Sequence, residues 1–251
     1  MGTSEGDFTG KAELYSKYRP TYPKEIVKLL NEKYGLTRDM IVADVGCGTG
    51  ALSVIFLNNG NKVICVEPNQ DMLTAARNLL SKYEKVIFVE GSAESTRLND
   101  NSVDVIIAGQ SFHWFDEEKA GREFRRILKS NNFVVLIWND RDMRDPFTYR
   151  YEEFVREFSK GYRGTGSTAI PSERIHRFLN NSYDYYEMDN FQKLNLEGLI
   201  GRYLSVTYSL KKDDPEYERA ISSLHNLYEE NQKNGEIRIK YTTKVFVGRI
   251  K

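Results

Sequence analysis

A glycine-rich segment early in the chain has the composition of a ligand-binding loop. It reads Asp44-Val-Gly-Cys-Gly-Thr-Gly50 and includes the end of the apolar run Met40–Val45. A backbone without Cβ atoms can turn tightly and let a ligand approach it closely. The carboxylate of Asp44 would repel a pyrophosphate but attract a ligand that carries positive charge. The segment therefore predicts a binding site for a cationic cofactor.

A second acidic residue, Glu67, follows the next apolar run, Lys62–Val66. A carboxylate at the end of a strand can accept hydrogen bonds from both hydroxyls of a ribose. Spacing alone leaves an alternative open, because Gly46, Gly48 and Ala51 also fit the dinucleotide pattern G-x-G-x-x-G/A. An NAD-dependent oxidoreductase is therefore a second hypothesis. Asp44, which precedes the glycines, argues against it because its carboxylate would repel the pyrophosphate of NAD.

The elements that must position these residues alternate between short apolar runs and helical patterns. Asn69 and Asp116 are typical N-terminal caps of two of the helices. Repeated strand–helix–strand units give parallel strands joined by right-handed crossovers, so the predicted fold is α/β and doubly wound. The predicted strands are Met40–Val45, Lys62–Val66, Val86–Val89, Val103–Ala108 and Phe133–Trp138, and the predicted helices are Tyr22–Tyr34, Asn69–Tyr83 and Asp116–Leu128.

The alternation of short apolar runs and helical patterns ends near position 140. Additions that follow the fifth strand of such a sheet can rise over the carboxyl ends of the strands, where ligands bind. We expect one structural domain: a cofactor-binding core with an N-terminal arm at 1–140, lid and substrate-binding additions at 141–235 that include a strand, and a final strand at 236–251. A helical pad over the sheet edge is the alternative. The predicted elements of this half are helices at Phe147–Phe158, Ser172–Leu179 and Asp213–Lys233 and strands at 183–195 and Ile237–Ile250.

Charge and composition exclude several classes of protein. The chain has 36 Lys and Arg and 36 Asp and Glu, so it has no bulk attraction to nucleic acids or anionic lipids. Its apolar runs are far too short to span a bilayer, and no secretory signal is visible. Cys47 and Cys65 provide neither a disulfide framework nor metal-ligand spacing. We expect a cytoplasmic monomer or dimer whose partner is a small molecule, without a metal, a nucleic acid or a membrane.

Taken in order, the motifs resemble those of the class I S-adenosylmethionine-dependent methyltransferases. Two further motifs match: Gly91-Ser-Ala-Glu94 after the third run and Asp104-Val-Ile-Ile107 in the fourth. The resemblance implies a mostly parallel seven-stranded Rossmann-like sheet, with S-adenosylmethionine as cofactor and S-adenosylhomocysteine as product. The cofactor-binding residues that it implies are Tyr18, Arg19, Asp44, Gly46, Cys47, Gly48, Gly50, Glu67, Pro68, Asn69, Met72, Ser92, Ala93, Glu94, Gln110, Ser111 and Trp114.

The resemblance becomes more specific with three more stretches, at 15–23, 110–116 and 241–249. They are similar to the branch that includes the trans-aconitate methyltransferases and related small-molecule carboxyl methyltransferases. The similarity implies that Arg19 pairs with the carboxylate of the cofactor and that Tyr18 donates a hydrogen bond to it. Gln110 and Ser111 are implied to line the face where the methyl group is transferred.

The predicted activity is O-methylation of a carboxylate by in-line displacement. A carboxylate is already ionised near neutral pH and needs no base. A phenol, amine or carbon acceptor would need one, and His113 is the candidate for that role; a cofactor-binding module without catalysis is a further alternative. The side chains proposed to anchor an acidic acceptor are Arg141, Arg144, Tyr149, Arg150, Arg163, Arg202 and Tyr208.

Overall fold

Seven strands and nine helices are assigned in the computed structural model, which describes residues 12–162, 164, 167 and 172–250. The strands are β1 (Ile41–Val45), β2 (Lys62–Glu67), β3 (Val86–Glu90), β4 (Val103–Gly109), β5 (Leu128–Arg141), β6 (Tyr183–Leu194) and β7 (Ile237–Gly248). The helices are α1 (Ala12–Tyr18), α2 (Glu25–Tyr34), α3 (Ser53–Asn59), α4 (Gln70–Leu79), α5 (Glu117–Ile127), α6 (Pro146–Glu157), α7 (Ser172–Phe178), α8 (Leu196–Leu204) and α9 (Tyr217–Glu229).

The strands form a single sheet in the order β3-β2-β1-β4-β5-β7-β6. Strands β1 to β5 are parallel, and β7 runs antiparallel between β5 and β6. The predicted doubly wound, mostly parallel α/β sheet is confirmed. Its strand order reverses between β1 and β4, and ligands bind in such sheets at the crevice that this reversal opens.

Burial follows from the position of each strand in the sheet. The central strands β1 and β4 are almost entirely buried, because helices cover both faces of the sheet. The edge strand β3 is only partly covered, although its sequence is as apolar as theirs. Asn69 and Asp116 cap α4 and α5 as predicted, each accepting a backbone N–H bond at about 3 Å from the residue three positions on.

Several helix boundaries differ from the predicted ones. Helix α2 begins at Glu25 rather than at Tyr22, because Tyr22 lies against Gly109 at the end of β4. Helix α9 begins at Tyr217, since the residues around Pro215 form turns before it. Helix α4 ends at Leu79 and is followed by a turn. A tertiary contact therefore overrides the local pattern at Tyr22, whereas turns bound α9 and α4.

The helices after β5 divide into two groups. Helices α6, α8 and α9 pack with the first half of β7 around an apolar cluster that includes Tyr151, Leu199 and Leu224. Helix α7 instead packs through Ile175 and Phe178 onto the core beside α5. The apolar face of α7 is thus taken up by the sheet core, and the expectation that 141–235 serves as a lid stays a prediction.

The N-terminal segment 15–22, called the strap below, crosses the molecule from α4 to α8. Its helix α1, which the sequence did not predict, contacts both of these helices. The ring of Tyr18 lies so close to Gly201 of α8 that a Cβ there would be 2.3 Å from it. Backbone carbonyls of Tyr18 and Thr21 accept hydrogen bonds from Gln192 and Asn190 of β6. None of the helices assigned in the described ranges is long and apolar enough to cross a membrane.

Truncating Phe124 of α5 should destabilise the core strongly. Its side chain is fully buried between the rings of Phe115 and Phe178. We expect Phe124→Ala to lower the free energy of unfolding by about 3–5 kcal/mol, measured by denaturant titration. Phe191→Ala is the control, because that ring is 53% exposed on the edge strand β6. Equal losses in the two variants would contradict this description of the core.

Candidate functional site

A cavity of about 710 Å³ opens at the carboxyl ends of the strands, where the order of the sheet reverses. Loops after β1, β2, β3 and β4 line it, and the strap closes one side with Tyr15 and Tyr22. Fourteen of the seventeen predicted cofactor-binding residues lie on its wall. They are Asp44, Gly46, Cys47, Gly48, Glu67, Pro68, Asn69, Met72, Ser92, Ala93, Glu94, Gln110, Ser111 and Trp114.

Asp44 supplies a buried carboxylate at the end of β1. The Ser53 hydroxyl donates to its Oδ2 at 2.6 Å, whereas its Oδ1 is buried without a hydrogen-bond partner in the described residues. Burial raises the pKa of Asp44 to about 7, against the opposing effect of the bond from Ser53. A buried acceptor that lacks a donor is costly, so a ligand with positive charge or an N–H group fits this wall.

The glycine loop turns beside this carboxylate. Gly46 has φ +68°, and a Cβ there would lie 2.6 Å from that of Ser111, so only glycine fits. Both Gly46 and Cys47 donate backbone N–H bonds to the carbonyl of Val66 in β2. Gly50 does not reach the cavity, because it faces Ala76 and Leu80 of the neighbouring helix region. Its φ of +84° is a conformation that glycine adopts readily, so a glycine at position 50 is needed to form the turn.

Glu67 ties two of the loops together at the end of β2. Its Oε2 accepts the backbone N–H of Gly48 at 2.9 Å, and its Oε1 accepts that of Asn69 at 3.0 Å. A carboxylate offers about four acceptor positions, so these bonds are compatible with binding a ribose diol. The sequence suggested the role of sugar binding; the bonds to the loop backbone were not foreseen.

The loop after β4 forms the opposite wall. Gln110 has φ +59°, a conformation that non-glycine residues adopt rarely and chiefly at functional sites. Its amide nitrogen donates to the carbonyl of Asn139 at 3.2 Å, and its backbone N–H donates to Ile137. The Ser111 hydroxyl donates to the carbonyl of Val45 at 2.9 Å, which joins the ends of β4 and β1 across the reversal.

Flat and apolar surfaces line the remaining side. Met72 and Ala93 are buried in the wall, and Trp114 presents a ring that is 48% exposed. Glu94 accepts the backbone N–H of Asp116 at 2.9 Å, so the loop after β3 is fixed to the start of α5. Such a wall suits an aromatic base stacked between side chains.

The strap residues are arranged differently from the expectation. The Tyr18 hydroxyl donates to Glu197 of α8 at 2.8 Å, so it is directed away from the cavity. Arg19 does not line the cavity. Its guanidinium lies 4.3 Å from the ring of Tyr15, which is a lining residue. Tyr15 and Tyr22 were missed as lining residues, although the stretch 15–23 was singled out, because sequence does not show which face of a strap turns inward.

His113 is placed beside the cavity rather than in its wall. It belongs to a short 3-10 turn after β4, with its ring 4.7 Å from that of Trp114 and its Nδ1 buried without a hydrogen-bond partner among the described residues. Burial, with the charges of Arg174 and Arg19, lowers the pKa of His113 to about 4. The imidazole is therefore neutral at physiological pH.

These features match the requirements of S-adenosylmethionine: a buried carboxylate oxygen without a partner among the described residues, a glycine cradle and an acid at the end of β2 that can bind a ribose. The overall fold agrees. A candidate type II methyltransferase from Anaeromyxobacter dehalogenans superposes with a TM-score of 0.65 at 21% identity, covering 93% of this chain and 98% of that one. The YcgJ protein of Bacillus subtilis superposes with a TM-score of 0.54 at 18% identity, covering 90% and 99%. The fold is that of the class I methyltransferases, which implies S-adenosylmethionine as methyl donor.

Sequence comparison gives the family. Residues 43–136 match the methyltransferase domain family. An uncharacterised methyltransferase of Schizosaccharomyces pombe is 33% identical over 208 residues, covering 73% of this chain and 82% of that protein. An uncharacterised methyltransferase of Mycobacterium tuberculosis is 35% identical over 144 residues, covering 57% of this chain and 55% of that protein. The chain belongs to the methyltransferase family, which leaves the hypothesis of an NAD-dependent oxidoreductase without support.

Replacing Glu67 should weaken cofactor binding. The variant Glu67→Ala removes the acceptor for two backbone amides and for the sugar, so we expect a loss of about 2–4 kcal/mol in the affinity for S-adenosylhomocysteine. Isothermal titration calorimetry measures it. Glu90→Gln is the matched control, because Glu90 is exposed and paired in register with Glu67. An affinity unchanged in Glu67→Ala would refute this assignment.

Cofactor affinity should also depend on pH through Asp44. Because its pKa is raised to about 7, the ligand-free protein holds a proton there at lower pH, and a cationic ligand must displace it. We expect the affinity for S-adenosylmethionine to rise by up to about tenfold per pH unit between pH 5.5 and 7, and then to level off. Over the same window the free energy of unfolding should fall as pH rises, since the folded state binds the extra proton. Asp44→Asn should abolish both slopes.

Proposed function

We propose that this protein transfers the methyl group of S-adenosylmethionine to a carboxylate of a small acidic molecule. The proposal extends the resemblance to the trans-aconitate methyltransferase branch of carboxyl methyltransferases. The observation that carries it is the setting of His113 in the turn after β4: its Nδ1 is buried without a hydrogen-bond partner among the described residues, and burial with the charges of Arg174 and Arg19 lowers the pKa of the imidazole to about 4. An edge with positive potential and no strong base favours an acceptor that is already an anion.

The low basicity of His113 argues against the alternative acceptors. A phenol has a pKa of about 10, and an imidazole with a pKa of about 4 is too weak a base to take up the phenol's proton. The same imidazole remains a neutral hydrogen-bonding group whose Nδ1 has no partner in the part of the chain that the structure describes. Its proposed role is to hold an acceptor oxygen in place.

The chain's contribution to the reaction is positioning. When bound, S-adenosylmethionine supplies an electrophilic methyl group on a positively charged sulfur. The fixed backbone of Gln110 and the loop around Gly46 hold the two reactants in line, and orientation alone can supply on the order of 7–11 kcal/mol. Tyr15 and Tyr22 restrict the entry of water on the strap side. Exclusion of water helps because opposite charges cancel as the bond forms.

Only some of the predicted anchors are suited to an acidic acceptor. The exposed Arg144 pairs with Asp142, the exposed Arg150 pairs with Glu230, and Tyr149 is 49% exposed. These three side chains therefore belong to the surface of the molecule and not to an acceptor site. Arg163 lies outside the described residues. Of the remaining anchors, Arg141 and Arg202 are buried and Tyr208 is half-buried. Arg202 and Tyr208 are within electrostatic range of Arg19.

The proposal predicts the chemistry of the product. With labelled S-adenosylmethionine and a panel of carboxylic acids, phenols and amines, we expect transfer to carboxylic acids, and alkali should release labelled methanol from the product. Methyl ethers and methylamines resist alkali, so label that stays bound would contradict carboxylate methylation. A panel without turnover, with cofactor affinity intact, would favour the non-catalytic module.

His113→Ala distinguishes positioning from base catalysis. With a carboxylate acceptor we expect kcat to fall by about tenfold at most and KM to rise, whereas a general base contributes about 10²–10⁴-fold. His225→Ala is the matched control, since His225 is exposed on α9 and does not line the cavity. A kcat that drops by the larger factor and recovers at high pH would indicate a base.

A further inference from the structure

Helix α7 lies outside the cavity but packs against the turn that follows β4. The ring of Phe178 of this helix lies 4.8 Å from that of Phe112. Phe112 is the first residue of the 3-10 turn, which also carries His113. Three neighbouring residues of the same stretch line the cavity: Ser111, Trp114 and Phe115. A helix from the second half of the chain therefore supports the segment that forms one wall of the cavity.

Arg174 of α7 contacts this turn at both of its ends. Its guanidinium carbon lies 5.6 Å from the centre of the Phe112 ring, and its Nη2 donates to the carbonyl of Phe115 at 3.2 Å. Its Nε donates to the carboxylate of Glu117, the first residue of α5. One planar side chain thus connects the beginning of the turn, its end and the following helix, because an arginine offers a rigid fork of N–H groups and a flat face for stacking.

The turn itself is closed by backbone bonds of the 3-10 type. The N–H of Trp114 donates to the carbonyl of Ser111 at 2.9 Å, and that of Phe115 donates to the carbonyl of Phe112 at 3.1 Å. Such bonds have poorer geometry than those of an α-helix, so contacts from outside have a large part in holding a 3-10 turn. The side chain of Arg174 provides a contact of this kind.

Arg174 also places a positive charge near His113. Among the described residues, the charges that lower the pKa of this imidazole belong to Arg174 of α7 and Arg19 of the strap, and burial is the larger cause. Glu117 pairs with Arg174 and also with Arg177, one turn further along α7. Arg174 therefore acts on His113 in two ways, through the turn that carries the ring and through its charge.

We propose that Arg174 is a positioning residue for methyl transfer, which holds the turn so that His113 and Trp114 present one fixed geometry to the acceptor. This role rests on the proposed function, in which the acceptor lies at this wall. Arg174 is not a lining residue of the cavity, so it acts through the turn. A displacement of about 1 Å at the reacting groups can cost on the order of 10²-fold in rate, so loosening the turn should lower kcat.

The variants Arg174→Met and Arg177→Met separate this role from the ion pairs of Glu117. Each removes an arginine of α7 that pairs with Glu117, but of the two only Arg174 is in contact with the turn in the described structure. With the best carboxylic acid as acceptor, we expect kcat to fall by about 10–100-fold in Arg174→Met and by less than about twofold in Arg177→Met. The affinity for S-adenosylhomocysteine should stay within about threefold of the wild type in both variants, because the glycine loop lies elsewhere on the cavity wall.

NMR titration of the histidine side chains gives a readout that is independent of turnover. Removing a positive charge favours the protonated imidazole, so the midpoint of His113 should rise by about one pH unit in Arg174→Met, while that of His225 on α9 stays the same. Arg174→Lys keeps the charge without the planar fork. In this variant the midpoint of His113 should stay low while kcat still falls by about tenfold.

Defined results would overturn the role of Arg174. One is a kcat that is equal in Arg174→Met and Arg177→Met, and another is a midpoint of His113 that does not move in Arg174→Met. If Arg174→Met does not fold, full wild-type kcat in Arg174→Lys would have the same meaning. Absence of ester from every carboxylic acid, with S-adenosylhomocysteine still bound and the midpoint of His113 still shifted in Arg174→Met, would instead overturn the proposed function.

Discussion

The site depends on the carboxylate of Glu67, which holds the loops after β1 and β2 in one geometry. It accepts N–H groups of Gly48 and Asn69, and the first of these belongs to the glycine loop. Parallel strands bring their carboxyl ends to the same edge, where the regular ladder ends. Gly46 and Cys47 still bond to the carbonyl of Val66, but beyond them the two loops need another restraint. A buried acid that bonds to both loops provides that restraint, and its charge makes the bonds strong.

On the β4–β5 side of the point where the strand order reverses, side-chain amides and hydroxyls hold the loops in place. Asn139 of β5 accepts the Thr243 hydroxyl at 2.6 Å and donates to the carbonyl of Thr21 at 3.2 Å. Its own carbonyl accepts from Gln110, so one residue connects β7, the strap and the loop after β4. These bonds to the strap are neutral and of modest net strength, and Lys17 and Tyr18 add two bonds to the carboxylate of Glu197.

The contrast between the two kinds of charged residue follows from burial. Exposed arginines such as Arg144 pair with adjacent acids in water, where such pairs contribute little. Arg141 and Arg202 are buried, and only Arg141 pairs with a described carboxylate, that of Glu152. The donors of both residues that have no partner in the described ranges bear the full cost of desolvation. The same argument applies to Asp44, whose raised pKa has burial as its main cause.

The sequence alone determined the order of the strands and most of the helices between them, the capping residues Asn69 and Asp116, and the glycine loop with its two acids, whereas α1 and α8 were not predicted. These are local properties: hydrophobic period, side-chain capping and backbone freedom act over a few residues, so they can be read in the chain. The helix in the strap, the inward faces of Tyr15 and Tyr22, and the separate packing of α7 are of another kind. Only the tertiary structure decided these, and only it distinguished buried Arg202 from exposed Arg150, because burial and charge balance arise from segments that are distant in sequence.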